Sequence, residues 1–377
     1  MFSFLPAYVV HGPKSPFQLE TIYLDEIRDN ELLIEITHSG ICHTDLVMQQ
    51  GVLPWLQFPA VLGHEGAGII RKIGRDVRDK DLKLGDAVLL SFNTCGGCQP
   101  CHDDRLAFCR HHAKVNHSAI RVSDGSTAAT LSDGRLLRSQ YFGQSSFARH
   151  SVVPERSVIK CPVQDADLSV YAPIGCGYQT GAGTILNIIK PKPSDVLAIF
   201  GLGGVGLSCI LAARFAGVQR ILAVDVAERK LEIARELGAT DTLNPGQCGG
   251  DIVAALKKAT GDSISFAFDC TGVPRVIEQC IESCGPEGTA VGLGVPPAGA
   301  TAGFNALEMM LQHKRYIGVV AGAANPYQLI PRLIEMHKSG NFPLEKLRTV
   351  YPATQLNTAI ADLKNGRVIK PVISWEK

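Results

Sequence analysis

The stretch CGGCQPCHDDRLAFC places Cys95, Cys98, Cys101 and Cys109 at spacings of three, three and eight. Four thiolates this close can enclose one tetrahedral zinc ion and leave no coordination position over. Such a closed site adds folding energy but offers nothing to a substrate. Chemistry at zinc needs three protein ligands and an open fourth position. Three other stretches hold candidates: GICHTD with Cys42 and His43, GHEGAG with His64 and Glu65, and GCGYQTGAG with Cys176. Cys42, His64 and Cys176 would supply two thiolates and one imidazole. They are far apart in the chain, so spacing leaves their convergence open. A core thiol at 42 and a turn histidine at 64 are the competing readings.

A second constellation points to a nucleotide. Gly201, Gly203 and Gly206 form G-x-G-x-x-G between the strand-like VLAIF and a helix of small apolar residues. In that context glycines let the backbone approach a pyrophosphate, which then sits at the helix N-terminus. Asp225 ends the next strand-like run, nineteen residues after Gly206. A carboxylate there accepts hydrogen bonds from the adenosine ribose hydroxyls and repels a 2′-phosphate, which favours NAD over NADP.

These residues need two kinds of scaffold. Up to about residue 170 the pattern is short and strand-like: ELLIEITHSG alternates, and GAGIIRKIG and GDAVLLSF are brief apolar runs punctuated by glycine. From about 178 strands alternate with helices, in DVLAIF, RILAVD, the helical ERKLEIARELGA and ISFAFDCTG, which predicts a doubly wound parallel sheet. After about 320 one helix, PYQLIPRLIEMHKSG, is followed by the strand-like RVIKPVISW. The expectation is an α/β chain with a nucleotide domain inserted into a β-rich one.

Composition narrows the classes. The 377 residues are 45% hydrophobic and 19% charged, with 37 Lys plus Arg against 36 Asp plus Glu. That balance carries no bias toward nucleic acid or an anionic membrane. The opening MFSFLPAYVVHGPK lacks a basic region and a full apolar stretch before Pro6, and no run of eighteen apolar residues follows. A cytoplasmic enzyme is expected. In a reducing compartment the twelve cysteines read as metal ligands and buried small hydrophobes (Cys161, Cys209, Cys248, Cys270, Cys280 and Cys284) rather than as a disulfide framework.

GICHTD, GHEGAG, the four-cysteine stretch, GCGYQTGAG and GLGGVG stand in the order and at the approximate separations of the zinc-dependent medium-chain alcohol dehydrogenases, which the chain resembles over nearly its whole length. LSFNTCGGCQPC and YFGQSSFA make it most similar to the aryl- or benzyl-alcohol dehydrogenase branch. The resemblance implies a Rossmann-type domain inserted into a GroES-like catalytic domain. Residues 1–177 would form the first catalytic part, including the structural zinc lobe 95–109, residues 178–320 the NAD domain, and residues 321–377 the second catalytic part.

It also implies two zinc ions per chain, one held by Cys42, His64 and Cys176 with Asp45 and Glu65 behind them, the other by Cys95, Cys98, Cys101 and Cys109. Thr44 would begin the proton relay. His43 and Lys370 would meet the cofactor phosphates, Gly203, Gly204 and Val205 would line the phosphate turn, Asp225 and Lys230 would hold the adenosine end, and Thr180 and Val295 would flank the nicotinamide. The reaction implied is hydride transfer between a primary aryl or allylic alcohol and NAD, in a homodimer or homotetramer.

Three positions bear on the substrate. Val47 stands where liver-type members end the relay in histidine. Ser91 replaces an aromatic pocket residue and is expected to open room, and Trp55 is a candidate pocket wall or a packing residue. Arg110 and Lys114, in CRHHAK, keep a glutathione-dependent formaldehyde dehydrogenase as the alternative enzyme. A zinc-ribbon interaction protein is the non-enzymatic alternative, against which the near-neutral charge argues.

Overall fold

The computed structural model of the chain describes residues 2–52, 54–163 and 167–376. Contacts divide it into two units, one of Met1–Gly177, Asn325–Glu335 and Leu344–Lys377, the other of Tyr178–Ala324 and Met336–Pro343.

The first unit is built on the strand Glu31–Gly40, which pairs antiparallel with Glu65–Ile73, His150–Pro154 and Lys370–Ser374. Side chains alternate across a strand, and here they feed two cores. Leu32, Ile34 and Ile36 pack with Ile70, Val88 and Leu90, whereas Leu33 joins Phe17, Tyr141 and Phe147. Burial on both faces is why ELLIEITHSG carries so little charge. One charge it does carry is Glu31, held by Arg121 through Nε at 2.8 Å and Nη2 at 3.0 Å. Both side chains are almost fully buried, so the pair ties the start of this strand to the loop at 121–127.

In the second unit six parallel strands lie in the order Asp241–Leu243, Arg220–Val224, Val196–Phe200, Phe266–Asp269, Thr289–Gly292, Arg315–Gly318. This is the doubly wound order, with its reversal beside the first strand. The helix Gly204–Phe215 is buried nearly all round, and Glu228–Leu237 ends on Gly238 at φ +119°, a left-handed cap that glycine adopts without steric cost.

The tail differs from the expected single helix and strand. Between the helix Pro326–Lys338 and the strand Lys370–Ser374 lie a second strand, Arg348–Pro352, and a second helix, Leu356–Lys364. The two strands pair in parallel, and the helix is the crossover such a pair requires. It buries only Leu356, Ala359 and Ile360, one short apolar stripe. No helix among the described residues is long and apolar enough to cross a membrane.

Removing one partner of a buried ion pair leaves the other charge uncompensated. Arg121→Met should therefore lower stability by about 3–5 kcal/mol, read as an earlier denaturation midpoint. Adding Glu31→Gln should restore most of that loss, and a single variant as stable as the parent would show the pair to be dispensable.

Candidate metal centres and nucleotide turn

The three separated ligand stretches do converge. Side-chain ligand atoms of Cys42, His64, Glu65 and Cys176 all lie within 4.8 Å of one another. Asp45 is the clamp. Its Oδ2 accepts from the backbone N–H of Cys42 at 3.0 Å, and its Oδ1 accepts from that of Gly63 at 3.1 Å and lies 2.8 Å from His64 Nδ1. Gly63 has φ +88°, and a Cβ there would stand 2.5 Å from the Phe147 nitrogen, so the turn before His64 requires glycine. Gln144 holds the other side, accepting from Gly66 N–H at 2.9 Å and donating to the His64 carbonyl at 3.0 Å.

With Nδ1 engaged by Asp45, His64 Nε2 is left buried and without a hydrogen-bond partner among the described residues. This is the carboxylate–histidine arrangement of a metal ligand. Burial opposes charge on this imidazole, but Asp45 and Cys42 outweigh it and raise its pKa well above the ordinary value. A hydrogen bond from Cys176 is the largest influence holding the Cys42 thiol well below its ordinary value. A cation facing Nε2 and the two sulfurs satisfies both preferences, so the residues fit zinc.

Glu65 is engaged by a lysine. Both its carboxylate oxygens lie 2.9 Å from Lys370 Nζ, and Oε1 also accepts from Gly177 N–H at 3.2 Å. Burial pushes its pKa up to about 7 against the pull of the lysine. Lys370, expected at the cofactor phosphates, is 5% exposed and also donates to the Ile41 carbonyl at 3.2 Å. In this structure it neutralises a buried carboxylate, a charge that burial makes costly without a partner.

Rings pack around His64. Phe142 stacks on it at 4.6 Å between centroids and 26° between planes, and Tyr141 meets it edge-on at 5.5 Å. Phe142 holds φ +52° and ψ +30°, a left-handed conformation that costs a bulky residue about 1–3 kcal/mol. Of the expected substrate positions, Trp55 is 43% exposed and its ring lies 5.6 Å from that of His117. Ser91, expected to open room, is fully buried, and its hydroxyl donates to the Gly175 carbonyl at 2.7 Å, so it fixes the backbone before Cys176.

His43 is exposed at the start of the helix His43–Gln49, and Thr44 Oγ1 lies 3.7 Å from Cys42 Sγ. Val47, half-buried on the same helix, brings no titratable group.

The sulfurs of Cys95, Cys98, Cys101 and Cys109 also lie within 4.8 Å of one another, with Cys98 and Cys101 at 3.5 Å and Cys95 and Cys101 at 3.9 Å. Tetrahedral zinc with bonds of about 2.3 Å sets its sulfurs about 3.8 Å apart, so this set fits a closed site. Backbone N–H groups of Cys95 and Arg110 point at the sulfurs of Cys109 and Cys98, and the Arg110 contact leads the influences that bring Cys98 down to about 6. The side chains of Arg110 and Lys114 are exposed.

In the second unit Gly201 has φ +88°, and a Cβ on Gly206 would stand 2.1 Å from the Gly201 carbonyl oxygen. A Cβ on Gly203 would meet nothing within 4 Å. The turn is thus closed on its inner side and open in front of the Gly204 helix N-terminus, the cradle a pyrophosphate needs. Val205 lies in the first turn of that helix. Asp225 accepts from Leu202 N–H at 2.7 Å and Ala227 N–H at 2.9 Å, and Lys230 Nζ stands 3.7 Å from it. Thr180 is buried on the helix Gly177–Gly183, and Val295 is 36% exposed beyond the strand Thr289–Gly292.

Comparison with known proteins agrees with this construction. Residues 28–163 match the family described as alcohol dehydrogenase GroES-like domain, and residues 204–336 match that described as zinc-binding dehydrogenase. Geraniol dehydrogenase of Castellaniella defragrans is 38% identical over 367 residues, 97% of this chain and 96% of that one. Benzyl alcohol dehydrogenase of Acinetobacter calcoaceticus shares 35% identity and superposes with a TM-score of 0.92 over 99% of both chains. An alcohol dehydrogenase zinc-binding domain protein of Burkholderia ambifaria, 36% identical, reaches 0.93 over 99% of both. With both metal-ligand sets and the nucleotide turn in place, the chain belongs to the zinc-dependent medium-chain alcohol dehydrogenases.

Proposed function

We propose that the protein interconverts a primary aryl or allylic alcohol and its aldehyde, with NAD as hydride acceptor and two zinc ions per chain. The carrying observation is the convergence of Cys42, His64 and Cys176 with the Nε2 of His64 buried and unpartnered. The substrate class is supported by relatives named for geraniol and benzyl alcohol and by the Phe142 ring stacked on the ligand imidazole. The Asp225 carboxylate at the end of its strand favours NAD over NADP.

When bound, zinc polarises the alcohol or carbonyl oxygen and NAD accepts or returns hydride. Cys42, His64 and Cys176 hold the metal, while Lys370 keeps Glu65 engaged and the fourth position free. Thr44, two residues after its ligand, takes the hydroxyl proton at Oγ1. Val47 cannot carry that proton on; His43, the only imidazole on this helix, is the group of this chain placed to do so, and a bound cofactor would offer its ribose hydroxyls as another path.

A cytoplasmic location fits twelve cysteines that are all unpaired. A homodimer or homotetramer is supported by the edge strand Arg315–Gly318, which pairs on one side only among the described residues, and by the exposed Leu307, Met310 and Leu311.

The direct test is reduction of NAD across a panel of alcohols. Benzylic and allylic alcohols should exceed ethanol in kcat/KM, and NADP should serve about a hundredfold less well. Asp225→Gly should narrow that cofactor gap, and ethanol as the best substrate would contradict the class.

Metal removal separates the two sites. Purified protein should carry two zinc ions per chain. Cys176→Ser should abolish turnover with little change in melting temperature, whereas Cys101→Ser should lower the melting temperature, because a closed site contributes folding energy directly. Active protein with a single zinc would overturn the pairing.

The relay has its own signature. A general base typically supplies about 10²–10⁴-fold; no imidazole follows Thr44 on its helix, and Asp45 is committed to His64 and two backbone N–H groups. Alcohol oxidation should therefore keep rising into the alkaline range. Val47→His should raise the single-turnover hydride-transfer rate near pH 7 and leave it little changed at high pH. An unchanged rate at every pH would move the proton exit elsewhere.

A further inference from the structure

A row of rings leads away from the metal ligands. His64 stands at the buried end with Phe142 stacked on it at 4.6 Å. His117 meets Phe142 at 5.3 Å and 61°, and Trp55 closes the row against His117 at 5.6 Å and 37°. Trp55 is 43% exposed, so the row runs from the zinc ligand to the surface of this unit. Its members come from four separate segments: the loop at 55, the turn before the strand Glu65–Ile73, the helix His112–His117 and the turn Tyr141–Gly143.

His117 is chemically out of place in a packing role. Its Nδ1 is buried and has no hydrogen-bond partner among the described residues, and the same holds for His112 on the far side of Phe142. A buried polar atom left unpaired costs free energy that phenylalanine or leucine would not incur. Burial pushes both imidazoles down to about 4, with like-charge effects of His112 and His64 added at His117. At working pH the pair is neutral, each ring offering one donor and one acceptor.

We propose that His117 determines specificity: a planar unsaturated primary alcohol lies along this row with its CH₂OH group at the metal end, and His117 hydrogen-bonds a second, neutral polar group on its far end. The fitting class is a ring hydroxyl or ether rather than a carboxylate, because a neutral imidazole offers no countercharge. The inference rests on the dehydrogenase reading above and adds the second substituent to it. Trp55 and Phe142 supply the flat walls, and the imidazole supplies the polar contact between them.

The test compares benzyl alcohol with 3- and 4-hydroxybenzyl alcohol and 4-carboxybenzyl alcohol on the zinc-loaded enzyme with NAD. One neutral hydrogen bond corresponds to a preference of about tenfold. The better hydroxybenzyl isomer should exceed benzyl alcohol by that factor in kcat/KM, chiefly through KM, and the carboxylate should fall below both. His117→Phe should bring the hydroxybenzyl-to-benzyl ratio close to one whatever the absolute rates, and His117→Gln should keep part of it. Calorimetric binding of 4-hydroxybenzaldehyde, 3-hydroxybenzaldehyde and benzaldehyde gives the same ratio without turnover, so an enzyme that oxidises no alcohol would defeat the dehydrogenase reading while the ratio still decides this one. A ratio near one in the unmodified protein, or one that survives His117→Phe, overturns the proposal. If His117→Phe does not fold, the glutamine variant and the unmodified protein carry the comparison.

Discussion

One buried carboxylate organises the centre. Asp45 is fully enclosed; it receives two backbone N–H groups and the imidazole of His64. A carboxylate in that position is tolerable only if each lone pair finds a donor. Satisfying it draws the turn at 42 and the turn at 63 together, orients the ring of His64 and leaves its other nitrogen facing the sulfurs. The ligand geometry is in this sense a by-product of solvating one anion with protein groups.

The same unit handles its other buried acids differently. Glu31 is met by the fork of Arg121, and Glu65 by the point charge of Lys370. Arginine offers fixed, planar donors suited to holding a loop, whereas the lysine amine sits at the end of a flexible stem. Each choice fits its place: the first pair braces a strand end, and the second keeps one candidate metal donor occupied beside three others.

Much of this was legible in the sequence, and the exceptions are instructive. The nucleotide turn could be read because its signal is local: a strand, three glycines and a helix in one continuous stretch. The four-cysteine lobe is equally local. Cys42, His64 and Cys176 needed a resemblance, since no spacing argument brings residues so far apart together. The ring row was only partly legible: Trp55 stood out as a candidate wall and Phe142 lies in YFGQSSFA, but His117 carries no motif, and only the fold makes the three neighbours. The hydrogen bond from Ser91 to the Gly175 carbonyl was not legible, because chain position does not tell which way a side chain turns. The helix Leu356–Lys364 was missed because its apolar stripe is three residues long.

The central strand of the first unit, Glu31–Gly40, pairs with Lys370–Ser374, so that Gly40 faces Val372. The partner of Glu65 comes from that same terminal strand. During synthesis the second unit is complete once Pro343 has emerged, with all six of its strands already made. The first unit must wait for Lys370–Ser374, holding an open strand edge at His38–Gly40 and an uncompensated buried acid until then. Domains fold as units while the chain emerges, so the nucleotide unit can reach its native form before the metal-binding unit can close. A chain cut before Lys370 would therefore spare one and disable the other.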